Sequence, residues 1–271
     1  MSASPRAAVV ASGFMGDTIA CTAAATSLHD RGFDVTLFTR WPQLQSLLRN
    51  DPCFCTTVYG RIISRKFQRP LRPRRFDLIV REPYPWSYRE PFTSEIRRLS
   101  GSAPDPGYKL HLNERQAALG RLRMDRPSVA ISRDLRKRAF GRDVETLLRM
   151  IEKIADIRWV GLEPALHSKH GKRRSIEGDA SIIRDSTVFF GPEGGMLWIA
   201  AGVGTRCVYL TENIARLETE HPHVWRSLGS CNHFPDAGHH ALPPACSNLD
   251  AIEEIDRILH EEASRSDTSN Q

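Results

Sequence analysis

The sequence contains no apolar run approaching the roughly 20 residues that cross a bilayer, so a membrane-spanning helix is not expected. Residues 7–12 are too short for a signal-peptide core, and the start of the chain has no long apolar stretch behind a basic end. Together these lead to the expectation of a cytoplasmic chain. No Cys-x-x-Cys pair occurs. The six cysteines (Cys21, Cys53, Cys55, Cys207, Cys231 and Cys246) are scattered and read as reduced thiols. Cys53-x-Cys55 is too tightly spaced for zinc and lacks two further ligands. The ten histidines form no His-Glu-x-x-His, and His221/His223 and His239/His240 fall in loop-like sequence. Metal is therefore expected at none of these positions. Gly-x-Gly-x-x-Gly is also missing, which weakens a nicotinamide-cofactor reading.

What the chain does contain is ordinary globular material, 40% hydrophobic and 26% charged, enough to build a core. Its 271 residues exceed a typical domain of about 100–150, so two domains are expected. The net charge of +6 favours an anionic partner: a phosphorylated metabolite, a membrane surface or nucleic acid. Charge alone does not choose among these.

Residues 7–12 have the pattern of a strand buried on both faces. A glycine turn follows, and residues 17–30 read as an alanine-rich helix ended by Gly32. Residues 33–38 and 76–80 read as strands, with a helix at 41–49 between them. A second series starts near Pro127, with strands at 128–132, 157–162, 187–190 and 206–210. Helices are expected at 143–155, 176–184, 196–203 and 250–262. Strands alternating with helices predict parallel α/β sheets. The expected organisation is an N-terminal Rossmann-like domain over 1–125 and a C-terminal one over 126–250. A closing helix and polar, disordered tail take up 251–271. Ligands of such sheets bind beyond the carboxyl ends of the strands.

Two turns carry the candidate chemistry. In Ser12-Gly13-Phe14-Met15-Gly16-Asp17, the glycines let backbone approach a ligand, and Asp17 stands at the start of a helix. A carboxylate there is stabilised by the helix end and suited to taking a proton from a hydroxyl. It is equally suited to being a plain helix cap. In Gly191-Pro192-Glu193-Gly194-Gly195, a buried strand runs through a glycine turn into a helix start, whose free N–H groups suit a phosphate. Glu193 repels phosphate and suits sugar hydroxyls. The alternative is a tight turn without a ligand. Trp198 reads either as a core aromatic or as a stacking face.

These segments resemble glycosyltransferase family 9, the heptosyltransferases. Met15-Gly16-Asp17-Thr18-Ile19 with Thr22-Ala23-Ala24 is similar to the family's first signature. Gly191–Gly195 followed by Ala200-Ala201-Gly202-Val203-Gly204-Thr205 is similar to the second. Between them, Arg136-Lys137-Arg138-Ala139-Phe140 resembles the family's Lys-Arg-Trp-Pro segment. The order and spacing extend over residues 7–262. The resemblance implies a GT-B fold, two Rossmann-like domains facing across a cleft. It also implies inverting transfer from a nucleotide-diphosphate sugar, ADP-heptose in the best-known members, without a metal or other cofactor. By the same matching, Asp17 is the base. Gly16, Lys137, Arg138, Glu193, Gly194, Gly195 and Met196 line the donor. The chain departs from the family at Glu193 for Asp, Gly194 for Ser or Thr, Trp198 for His and Ala24 for Pro, which leaves the sugar undefined.

The segment Glu82-Pro83-Tyr84-Pro85-Trp86 follows a strand end and is expected to line the acceptor side through Tyr84 and Trp86, or equally to be a rigid surface turn. The basic stretch 61–75, with Arg61, Arg65 and Lys66, is expected on the acceptor side too. It suits a glycolipid, a phosphorylated small acceptor or an anionic membrane surface contacted peripherally. A solvated loop is the competing reading. Few aromatics interleave with these cations, which argues against nucleic acid. Two further classes stand beside the transferase: a non-catalytic nucleotide-sugar-binding relative and a nucleotide-sugar epimerase.

Overall fold

The structure is a computed structural model. It describes residues 4–58, 75–82, 92–103, 108–120, 126–136, 143–161, 175–211, 239–243 and 246–269. The chain divides into two units, Met1–Leu112 and Asn113–Gln271.

In the first unit, β1 (Arg6–Ala11), β2 (Asp34–Thr39), β3 (Cys55–Val58) and β4 (Leu78–Arg81) form a parallel sheet in the order β3-β2-β1-β4. The central β1 buries Ala7, Ala8, Val9 and Ala11 completely, as a strand covered on both faces requires. The expected helix over 17–30 is two helices, α1 (Met15–Ala20) and α2 (Thr22–Asp30), meeting at Cys21. At the junction the Thr22 hydroxyl donates to the Ile19 carbonyl at 2.7 Å. That local bond gives the backbone an alternative to a continuous helix. Pro42 sits in the first turn of α3 (Pro42–Leu48), where its missing N–H costs nothing. The α4 helix (Phe92–Leu99) packs against α2.

The strand order reverses direction between β1 and β4. Connections run outward from β1 to β2 and β3, then return to the other side of β1. Sheets of this kind take their ligands beyond the carboxyl ends of the strands at such a reversal, here those of β1 and β4.

The second unit contains β5 (Ser128–Ser132), β6 (Asp156–Val160), β7 (Val188–Pro192), β8 (Arg206–Leu210) and β9 (His240–Leu242). They form a parallel sheet in the order β6-β5-β7-β8-β9, with its reversal between β5 and β7. Every residue of β5 and β7 is buried. One face is covered by α6 (Val144–Ile154) and α9 (Asn248–Ser269), whose Leu147, Ile151, Ala251, Ile255 and Ile258 meet Val129, Ile131 and Phe190 in one core. The expected disordered tail is helical instead: α9 continues as far as Ser269, supported by the Arg265–Glu262 ion pair one turn apart.

The division at Leu112/Asn113 precedes the expected boundary at 125/126 because α5 (Glu114–Ala118) docks on α7 (Ile176–Arg184). The Ser181 hydroxyl donates to the Ala117 carbonyl at 2.7 Å and accepts the Gly120 N–H at 2.9 Å. The buried Arg158 of β6 donates to the Gly120 and Asp185 carbonyls. The α8 helix (Gly195–Gly202) begins three residues after β7 and is buried along most of its length.

Candidate functional site

The two signature turns fall where the sequence analysis expects them, each at the carboxyl end of a central strand beside its sheet's reversal point.

After β1 the chain turns through Ser12 and Gly13 into α1. Asp17 occupies the third position of that helix, not its start. Its Oδ2 accepts the backbone N–H of Phe14 at 2.6 Å. Asp17 is half-buried. The carboxylate thus caps the helix from its third position, at the carboxyl end of β1 beside the sheet reversal. From β4, Glu82 reaches the same turn. Its Oε2 accepts the N–H groups of both Ser12 and Gly13, each at 2.6 Å. A Cβ at Gly13 would lie 2.0 Å from Asp17 Oδ2 and 2.3 Å from Glu82 Oε1, so any other residue there would have to push these two carboxylates aside. Cys21 is fully buried behind this pair, and its thiol is held well above its ordinary value by burial first, then by Glu82 and Asp17.

The third wall comes from β2. The Trp41 indole N–H donates to the Gly13 carbonyl at 3.1 Å, and the Trp41 backbone N–H donates to the Thr39 hydroxyl at 3.1 Å. The Arg40 guanidinium lies 5.8 Å from the Phe14 ring centre and 5.1 Å from that of Trp41, a cation held over two aromatic faces. The Phe14 ring is 70% exposed, so this platform opens to solvent.

In the second unit, β7 delivers Gly191 against the end of β5. A Cβ at Gly191 meets Ser132 Cβ at 2.6 Å, so glycine is what allows the two strand ends to touch. The Glu193 N–H donates to the Leu210 carbonyl at 2.9 Å, and its carboxylate accepts the Thr211 hydroxyl. Glu193 is thus tied to the end of β8. The N-cap of α8 is Gly194, which has no side chain to bond the first-turn N–H groups of Gly195, Met196 and Leu197. Trp198 is 6% exposed and Met196 likewise, so both are core residues; for Trp198 this selects the first of its two readings. At the neighbouring end of β6, the buried Asp179 accepts the Gly161 N–H at 3.2 Å.

Gly16, Asp17, Glu193, Gly194, Gly195 and Met196 are described. Lys137, Arg138, Arg61, Arg65, Lys66, Tyr84 and Trp86 lie outside the described residues, as do His221, His223 and Cys231. The other five cysteines are free thiols. Of the pair expected in a loop, His240 instead opens β9, while His239 lies just before the strand, buried, with Nδ1 accepting the Cys207 N–H at 3.1 Å. Burial, then the cations Arg206 and His240, lower the His239 imidazole to about 4. Among the described residues no group of three or more His, Cys, Asp and Glu side chains is placed to hold a metal ion. No helix there is long and apolar enough to cross a membrane. A hollow of about 400 Å³ lies at the amino ends of β2 and β3, beside Asp51 and Cys53. Burial raises the Asp51 carboxyl there. This hollow is at the opposite strand ends from Asp17.

Trp41 and Arg40 are residues that sequence reasoning did not assign to the site; Glu82, just after the Leu78–Arg81 strand, opens the segment expected on the acceptor side, but its bonds to Ser12 and Gly13 were not foreseen.

No protein-family model matches the chain, and no curated protein sequence matches it. Solved structures do. The iron-containing dodecameric glycosyltransferase TibC of enterotoxigenic E. coli superposes with a TM-score of 0.62 at 12% identity, over 97% of this chain and 78% of that one. E. coli ADP-heptose lipopolysaccharide heptosyltransferase II gives 0.62 at 12%, over 95% and 99%. A family 9 glycosyltransferase of Veillonella parvula gives 0.58 at 10%, over 95% and 97%. Two parallel α/β sheets in this order, matched across nearly the whole chain, give this protein the GT-B fold of the heptosyltransferases.

Proposed function

We propose that the protein is an inverting glycosyltransferase that moves a sugar from a nucleotide-diphosphate donor to an acceptor hydroxyl. The observation that carries this reading is Asp17: a carboxylate fixed by the Phe14 N–H at 2.6 Å, at the carboxyl end of β1, beside the sheet reversal. In-line displacement at an anomeric carbon needs a base on one face of the sugar and positive charge or N–H donors on the departing diphosphate. Asp17 supplies the first. The uncapped N-terminus of α8 supplies donors of the second kind, with Lys137 and Arg138 as the accompanying cations in this reading. No step of it is routed through a metal ion.

The fold supports the donor class. It is shared with E. coli heptosyltransferase WaaC bound to ADP-2-deoxy-2-fluoro heptose, at a TM-score of 0.55 and 11% identity. In this reading the first unit receives the acceptor and the second holds the nucleotide sugar. The exposed Phe14–Arg40–Trp41 platform beside Asp17 favours an acceptor that pairs an anionic group with a ring or apolar body, from a glycolipid or a small metabolite. The net charge of +6 points the same way.

Thermal unfolding with ADP, UDP, GDP and CMP is the direct test. A nucleotide at one hundred times its dissociation constant stabilises by about 2.7 kcal/mol. Stabilisation by one of the four identifies the base; no response to any of them removes the support for a nucleotide-sugar donor.

A further inference from the structure

Glu82 does more than close a turn, and its geometry relates it to the base. We propose that Glu82 is a positioning residue for Asp17: it anchors the turn on which the base stands and sets a second carboxylate against it. This rests on the reading of Asp17 as the base.

Three observations carry it. Glu82 comes from β4, and its contacts to Ser12 and Gly13 span 70 and 69 residues of sequence. Both N–H groups converge on one oxygen at 2.6 Å, the short charge-assisted kind. Its other oxygen, Oε1, and Asp17 Oδ2 lie 2.3 and 2.0 Å from a single point, the place a Gly13 Cβ would take. The two oxygens are therefore no farther apart than those two distances together. Like charges held that close favour the protonated state of one of them. For a base, that is a stronger pull on the acceptor hydroxyl's proton. The proton passes from that hydroxyl to the Asp17 carboxylate as the new glycosidic bond forms and the nucleotide diphosphate leaves with its bonding pair.

Around this pair, Asp17 also accepts the Phe14 N–H at 2.6 Å. Cys21 lies at the α1–α2 junction, its thiol held up by burial first and then by both carboxylates. The Arg40 guanidinium lies over the Phe14 ring. A purely mechanical clamp needs only an acceptor at Oε2, and an amide supplies that as well. The proposal needs the charge.

Glu82→Gln separates the two roles. It keeps an acceptor for Ser12 and Gly13 and turns a neutral NH₂ toward Asp17. The test is the titration of the Asp17 carboxyl carbon by ¹³C NMR, followed alongside the pH profile of kcat/KM. In Glu82→Gln the carboxyl titration and the acidic limb of the profile are expected to move together to lower pH by about one unit, the scale of one neighbouring charge. Amide exchange at Ser12 and Gly13 stays as in the wild type. Glu82→Ala is expected to speed that exchange. An Asp17 titration identical in wild type and Glu82→Gln overturns the proposal, as does unchanged amide exchange in Glu82→Ala. If the titration moves as expected but the wild type transfers no sugar, the carboxylate pairing is upheld and the transferase reading alone fails.

Discussion

The Trp41 indole N–H donates to the Gly13 carbonyl at 3.1 Å, tying the end of β2 to the turn that follows β1. Gly13 thereby has its carbonyl held from one neighbouring strand and its N–H from the other, through Glu82. Trp41→Phe keeps the ring and removes the bond. It is expected to lower stability by about 1 kcal/mol, the net worth of a typical hydrogen bond. Differential scanning calorimetry then shows the transition roughly 2–4 °C lower. An unchanged midpoint means that the Gly13 carbonyl finds water as good a partner.

Asp17→Asn tests the base itself. Loss of general-base catalysis costs roughly 10²–10⁴ in rate, while binding of the donor depends on the other unit and is retained. The expected pair of results is a collapsed kcat in a single-turnover assay and a nucleotide-induced thermal shift equal to that of the wild type. Turnover at the wild-type rate excludes Asp17 as the proton acceptor.

Gly191→Ala tests the contact between β7 and β5. Its new Cβ meets Ser132 Cβ at 2.6 Å, in a strand where every residue is buried. Overpacking of this kind costs about 1–3 kcal/mol. Adding Ser132→Gly removes the atom it strikes, so the double variant is expected to recover most of the loss in urea unfolding. Additive losses contradict a direct clash.

The pH dependence of stability has an identified contributor in His239. Its imidazole titrates at about 4 in the fold, against 6.5 in the free side chain. The unfolded chain therefore binds the proton first as pH falls, and stability contributed by neutral His239 is lost from about 6.5 down to about 4. The difference corresponds to about 3 kcal/mol. His239→Asn retains an acceptor for the Cys207 N–H but does not titrate. Across that range its unfolding free energy is expected to fall by about 3 kcal/mol less than the wild type's. Parallel curves assign the acid lability elsewhere.

Much of this arrangement was legible in the sequence where a segment's own residues decide its state. Ser128–Ser132 and Arg206–Leu210 are apolar runs of strand length, and Ile176–Arg184 follows Ser175, whose hydroxyl accepts the Gly178 N–H at 3.2 Å. All three have their expected bounds. β3 went unread because it has alternating exposure and no apolar run. The break at Cys21 went unread because alanine-rich sequence has no local reason to stop, and the Thr22 hydroxyl is a subtle one. The turns that hold Asp17 and Gly194 were legible because turns and helix starts have local chemistry. The contacts that Glu82 and Trp41 make with the first turn were not, because they come from the pairing of β1 with strands far along the chain.

Among the described residues, β4 is at the rim of its sheet and bonded to β1 alone. Rim strands open at lower free energy than central ones. When β4 peels away it carries off Glu82 and unhooks Ser12 and Gly13, while the β1–β2 pair stays intact. The turn that carries Asp17 is thereby expected to loosen on warming before the domain beneath it comes apart.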